Sequence, residues 1–202
     1  MRRTAIHPIF EEDTTMADQI TATTQGPATG IEAPNARPIH PETRIGHVHL
    51  KVADIDRALD FYVGVLGFQL TQRFGKQAAF IAAGGYHHHI GLNTWESRNA
   101  PPPPRGTTGL YHLAILYPNR KDLADALMRL IEARIPLDGA SDHGVSEALY
   151  LRDPDNNGVE LYWDRPGAEW PVDEKGELAM VSDPLDLEGL LGELGEPRQA
   201  DR

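Results

Sequence analysis

A strand, a helix and three strands, followed by the same order again, constrain this chain more than any other feature. Residues Ile45–Val52 alternate, with His47, His49 and Lys51 on one face and Val48, Leu50 and Val52 on the other. That is the pattern of a half-buried strand. Asp54 is placed to cap a helix that runs to Leu66, with Ile55, Ala58, Leu59, Tyr62 and Leu66 near helical spacing and Gly67 as its C′ residue. Strand-like runs follow at Phe68–Phe74, Ala78–Ala83 and His87–Trp95. The order then restarts with a strand at Leu110–Tyr117 and a helix capped by Asn119 and running to about Arg134. Runs at Ala148–Arg152 and Val159–Trp163 come next, joined by the turn Asp153–Gly158. With three closing strands marked in the first half and two in the second, both are assigned one βαβββ plan, over about 45–95 and 110–163. Such a duplication predicts an α+β fold in which two curved sheets face one another across a cleft. The Pro101–Pro104 run links the halves and is unfit for a central strand.

The ends read differently. Residues 1–43 lack an apolar period and are expected to form a disordered arm. The domain proper is expected over 44–165. The extension 166–202 carries one short helical stretch, Leu185–Leu194, and nothing that suggests chemistry.

Composition narrows the function. The 202 residues include 30 Asp+Glu against 19 Lys+Arg, a formal net charge of -11, with no basic run. Nucleic acid and anionic membrane are poor partners for such a chain. No stretch is apolar enough for a membrane span, and no apolar run follows Met1-Arg2-Arg3, so a cytoplasmic location is expected. With no cysteine present, any metal must be held by His, Asp or Glu.

Histidine is concentrated: seven of nine lie between residues 47 and 143. His47 and His112 open the two halves at matching places, 65 residues apart. Alternation puts His47 opposite Val48 and Leu50, His112 opposite Leu113 and Ile115, and Glu160 opposite Val159 and Leu161. All three therefore face away from the helix-packing side, into the cleft. Two imidazoles and one carboxylate with open positions suit Fe(II). The ordinary alternative for each is a solvated strand residue. His49 shares the His47 face and stays open as its replacement.

The segments Gly46-His47-Val48-His49-Leu50, Leu66-Gly67-Phe68 and Asp153-Pro154-Asp155-Asn156-Asn157-Gly158-Val159-Glu160-Leu161-Tyr162 resemble the vicinal-oxygen-chelate superfamily. That group contains glyoxalase I, bleomycin- and fosfomycin-resistance proteins and type I extradiol dioxygenases. The resemblance covers about residues 44–165 and implies metal ligation by His47, His112 and Glu160. A finer likeness favours the extradiol branch. His143–Tyr150 resembles the stretch that carries a His and a Tyr beside the substrate, with Tyr150 ten residues before Glu160. The interval between His143 and Tyr150 is two residues shorter than in those dioxygenases. His88-His89-Ile90-Gly91-Leu92 resembles the strand bearing the acid–base histidine, with His88 the better match and His89 the alternative. The fourth carboxylate ligand of glyoxalase I has no counterpart in His88–Trp95.

The resemblance thus implies an Fe(II)-dependent ring-cleaving dioxygenase, with a small catechol-like aromatic and O2 as its partners. Mn(II), Zn(II) and Ni(II) remain open for the same donors. Well-studied extradiol enzymes carry two such domains in one chain, and this sequence has one, so a homodimer is expected. Two other classes stay open: a glyoxalase-type lyase or isomerase, and a non-catalytic protein that binds an aromatic or a drug. Exposed strand ends, an ordinary half-buried tyrosine and a loop histidine are the structural alternatives for His88, Tyr150 and His143.

Overall fold

The computed structural model describes residues 37–195. The expected arm lies outside the described residues as far as residue 36, and residues 37–43 contain only one turn.

The first half opens with β1 (Val48–Lys51), whose Leu50 is buried while His49 and Lys51 are exposed. Helix α1 (Ile55–Leu59) follows. The Asp54 side chain accepts a hydrogen bond from Arg57 N at 2.9 Å, the cap the sequence predicts. One regular helix through Leu66 is expected, but the segment Asp60–Val65 winds as a π-helix. The wider turn buries both Phe61 and Tyr62, neighbours that a regular helix would send about 100° apart. Strands β2 (Gln69–Phe74), β3 (Ala78–Ala82) and β4 (Ile90–Asn93) complete a sheet of order β1-β4-β3-β2, in which β1 and β4 are parallel.

The second half repeats the plan with β5 (Leu113–Leu116), α2 (Arg120–Ala133), β6 (Leu137–Asp142), β7 (Ser146–Arg152) and β8 (Gly158–Asp164). Asn119 caps α2 through Asp122 N, and Arg134 closes it in the left-handed conformation. The sheet order is β5-β8-β7-β6-β9, where β9 (Asp183–Pro184) comes from the C-terminal extension. Strand β6 stands where the sequence reads as loop. Its Gly139, Ala140 and Ser141 carry no apolar alternation, and pairing with β7 and β9 holds it in the sheet.

Both helices and one face of each sheet share a single core. It includes Leu50, Ile81, Leu92, Tyr62, Leu123, Leu127, Leu149 and Leu161. The short helix expected in the tail is α3 (Leu187–Gly192), which packs on α2 and buries Leu190 completely. The halves are also stitched by polar contacts. Tyr62 OH donates to Asp153 Oδ2 at 3.0 Å, and Asp155 Oδ1 accepts from Ala53 N at 3.1 Å and pairs with Arg57.

Candidate metal centre

The duplication sets the positions. His47 and His112 each stand one residue before the parallel edge strand of their half, not within it as the sequence reads. Strand register makes the match quantitative: Val48 pairs with Ile90, and Leu113 with Val159. Glu160 pairs with Ala114, so its counterpart in the first half is Gly91, opposite His49. Tyr150 pairs with Glu160 as Phe80 pairs with Gly91.

A cleft of about 730 Å³ lies between the two edge strands. It is lined by His47, His89, His112, Phe68, Leu116 and Tyr162, among others. His112 Nε2 stands 3.0 Å from Glu160 Oε2. Tyr150 OH donates to the other carboxylate oxygen, Glu160 Oε1, at 3.0 Å, and lies 2.7 Å from His143 Nε2. Four of the side chains named from the sequence therefore form one chain of contacts, His143–Tyr150–Glu160–His112. The short His143–Tyr150 interval is accommodated by a tight turn between β6 and β7, closed by His143 N donating to Ser146 O at 2.8 Å.

The remaining expected residues fall on the first-half side. His47 is exposed, and its ring lies 4.4 Å from that of His88. His88 is not on a strand; it sits half-buried in the turn before β4, against Phe80 and His87. Burial first, and then its histidine neighbours, hold its imidazole below the usual range, so it is neutral near pH 7. His89, the alternative to His88, lines the cleft. His49 does not: it lies over Gly91, edge-on to Phe80, and faces a separate cavity walled by Glu96 and Pro101.

Do these donors suit a divalent ion? Two ligands about 2.1 Å from one ion and at right angles to each other stand about 3.0 Å apart, which is the His112–Glu160 separation. The other nitrogen, His112 Nδ1, is buried and has no hydrogen-bond partner in the protein. Among the described residues no three such donors are gathered within ligating range. Two are, and His47 shares their cleft. The spacing of His112 and Glu160 suits one divalent ion, while His47 lines the same cleft outside that pair.

Burial, reinforced by the Glu160 charge, pushes the Tyr150 phenol well above its ordinary value, so the hydroxyl keeps its proton. Behind the site, buried Glu147 is paired with Arg120 at 2.8 Å and Arg165 at 2.9 Å, and Arg165 also grips Asp142. None of these ion pairs was legible from spacing.

Residues 44–161 match the model of the glyoxalase/bleomycin resistance protein/dioxygenase superfamily. The chain belongs to that superfamily. Its fold is also that of a glyoxylase/bleomycin resistance protein/dioxygenase domain from Frankia sp., at a TM-score of 0.51 and 25% identity over 61% of this chain and 98% of that one. Among curated proteins, the chain is similar to catechol-2,3-dioxygenase of Bacillus subtilis, with 46% identity over 162 residues, 80% of this chain and 55% of that protein. It is similar as well to biphenyl-2,3-diol 1,2-dioxygenase 3 of Rhodococcus globerulus, with 32% identity over 60% of this chain and 63% of that protein. The superfamily domain here thus spans less than two thirds of the length of either relative.

Proposed function

We propose that this protein is an extradiol-type dioxygenase that cleaves the ring of a catechol-like aromatic, with Fe(II) held by His47, His112 and Glu160. The observation that carries the reading is the His112–Glu160 pair at 3.0 Å, linked through Tyr150 to His143. Similarity to proteins named as catechol and biphenyl-diol dioxygenases supports it.

The ion, when bound, supplies a redox-active Lewis acid with open positions for a catechol's two oxygens and for O2. The chain's own residues do the rest. Glu160 and His112, side by side in the second half, orient one another. Tyr150, kept protonated, places its hydroxyl beside a substrate oxygen, and His143 meets that hydroxyl from behind. His88, neutral near pH 7 and 4.4 Å from the His47 ring, is the base and proton carrier from the first half. Phe68, Leu116 and Tyr162 give the cleft an apolar lining suited to a flat ring. The first half has Gly91 where the second has Glu160, so a fourth carboxylate ligand of the glyoxalase I kind has no place there.

We take the protein to act as a cytoplasmic homodimer, with the second copy completing the substrate pocket. Trp95 (65% exposed) and Tyr111 (78% exposed), large aromatics open to solvent, support a covered surface. No described helix is long and apolar enough to cross a membrane.

The test is metal content of anaerobically purified protein together with O2 uptake on a panel of catechols. Near-stoichiometric iron with catechol-dependent uptake is expected. Bound Mn, Zn or Ni without uptake would instead favour a lyase or isomerase, and tight aromatic binding without any metal would favour a sequestering protein.

A further inference from the structure

The C-terminal extension, silent in the sequence, reaches the site through its main chain. Val181 N donates to His143 O at 3.1 Å, and His143 Nδ1 lies 2.9 Å from Val181 O. We propose that the Val181 main chain is a positioning element of the site, which fixes His143 as the Nδ1–H tautomer and leaves its Nε2 lone pair facing Tyr150. The inference rests on the reading above in placing His143 and Tyr150 beside the substrate.

A carbonyl oxygen can only accept a hydrogen bond, so the nitrogen that meets Val181 O carries a hydrogen. In a neutral imidazole the other nitrogen is then bare, and here it stands 2.7 Å from Tyr150 OH. The clasp is built from both sides. Asp183 and Pro184 continue the pairing onto β6, and Ala179 N donates to Pro171 O at 2.9 Å, folding the extension back on itself. Pro171 covers Gly144, the residue after His143. Gly144 has φ +75°, and a Cβ added there would meet Pro171 Cγ at 2.8 Å, so only glycine lets the two chains approach this closely. On the other flank Asp142 accepts from Gly144 N at 2.8 Å and is held by Arg165. His143 is thus pinned at its carbonyl, its ring and both neighbours.

The consequence concerns one proton. Tyr150 has a single hydroxyl hydrogen and two acceptors, His143 Nε2 at 2.7 Å and Glu160 Oε1 at 3.0 Å. With the tautomer fixed by Val181, that hydrogen goes to one or the other and never to both. When Glu160 is engaged elsewhere, it turns to His143, and the Tyr150 oxygen is left free to accept from a substrate hydroxyl. Were His143 the opposite tautomer, Nε2–H would point at Tyr150 and this exchange would be blocked.

The test reads the tautomer directly. Imidazole 1H–15N spectra of the metal-free full chain, with His143 assigned by its loss in His143→Gln, are expected to show a protonated Nδ1 and a bare Nε2. Val181→Pro, which removes the Val181 N–H that ties the segment to His143 O and so frees the Val181 carbonyl from the ring, is expected to lower the Nδ1–H population severalfold. Val181→Ala, which keeps the main-chain pair, is expected to hold the wild-type tautomer. In the iron-loaded enzyme, Val181→Pro is expected to lose on the order of tenfold in kcat with unchanged iron content, the scale of a misplaced catalytic partner. A His143 protonated at Nε2 in the wild type overturns the proposal, and needs no variant to fold. So does a Val181→Pro spectrum identical to wild type. If no catechol supports O2 uptake but the tautomer behaves as stated, the ring-cleavage reading fails and the clasp stands.

Discussion

The two halves of this protein share one plan and differ in what they place at equivalent positions. In the second half Glu160 lies beside Ala114 and opposite Tyr150; in the first, Gly91 lies beside His49 and opposite Phe80. The carboxylate and its hydroxyl partner exist on one side only. On the other, the His49 ring occupies the space over Gly91, 3.0 Å from where a Cβ would stand. Each half keeps a histidine one residue before its edge strand. The duplicated scaffold thus repeats the two histidines and places the carboxylate with its tyrosine in one copy. The second half is also the more heavily supported, with β9, α3 and the Arg120–Glu147–Arg165 network behind it.

The largest expected effect comes from erasing the asymmetry. Glu160→Ala gives the second half a small side chain where the first has Gly91, and is expected to cost on the order of a thousandfold in catechol-dependent O2 uptake, with loss of bound metal. Uptake within tenfold of wild type would mean that the carboxylate does not separate the halves.

Next is the additional layer over the second half. Leu190 is fully buried on α3, so Leu190→Ala is expected to cost about 3 kcal/mol in urea unfolding. A loss below about 1 kcal/mol would place α3 outside the cooperative unit.

Gly158 and His89 sit at equivalent places, each just before the residue that pairs with its edge strand. Yet a Cβ at Gly158 would run into the Tyr111 carbonyl and come within 3.0 Å of His112 Cα. Gly158→Ala is expected to cost about 2 kcal/mol and to weaken metal binding by displacing His112. His89→Ala, by contrast, trims a cleft-lining ring and is expected to leave stability within about 0.5 kcal/mol. Equal costs at the two positions would break the contrast.

The smallest effect is electrostatic. Two hydrogen bonds from Arg165 hold the Asp142 carboxyl below the usual range. A depressed pKa in the folded state stabilises fully above the unfolded value of about 4 and is lost as pH falls through the folded value. Asp142→Asn is therefore expected to cost about 1 kcal/mol at pH 7, with the gap to wild type closing towards pH 2. A gap that widens in acid would reverse the sign of the interaction.

Much of this was written in local patterns. Asn119 with its following leucines marks α2, Asp54 marks α1, and the repeat places His47 and His112 at matching positions. Glu160, between Val159 and Leu161, reads as inward-facing from alternation alone. What was hidden depends on partners distant in sequence. Strand β6 is made of small and polar residues and exists because β7 and β9 flank it. The π-turn at Asp60–Val65 answers to the packing of Phe61 and Tyr62. The placing of His89 on the cleft wall depends on the turn before β4, where strand alternation has not yet begun. Val181 acts through main-chain atoms that every residue type but proline carries, so no side-chain pattern announces it.

The measurement closest to the central claim is a crystal structure of the anaerobic, iron-loaded protein with diffraction recorded on both sides of the iron absorption edge. One anomalous peak is expected, about 2.1 Å from His47, His112 and Glu160. A peak at the His87–His89 cluster instead, or none beside the His112–Glu160 pair, would contradict the account.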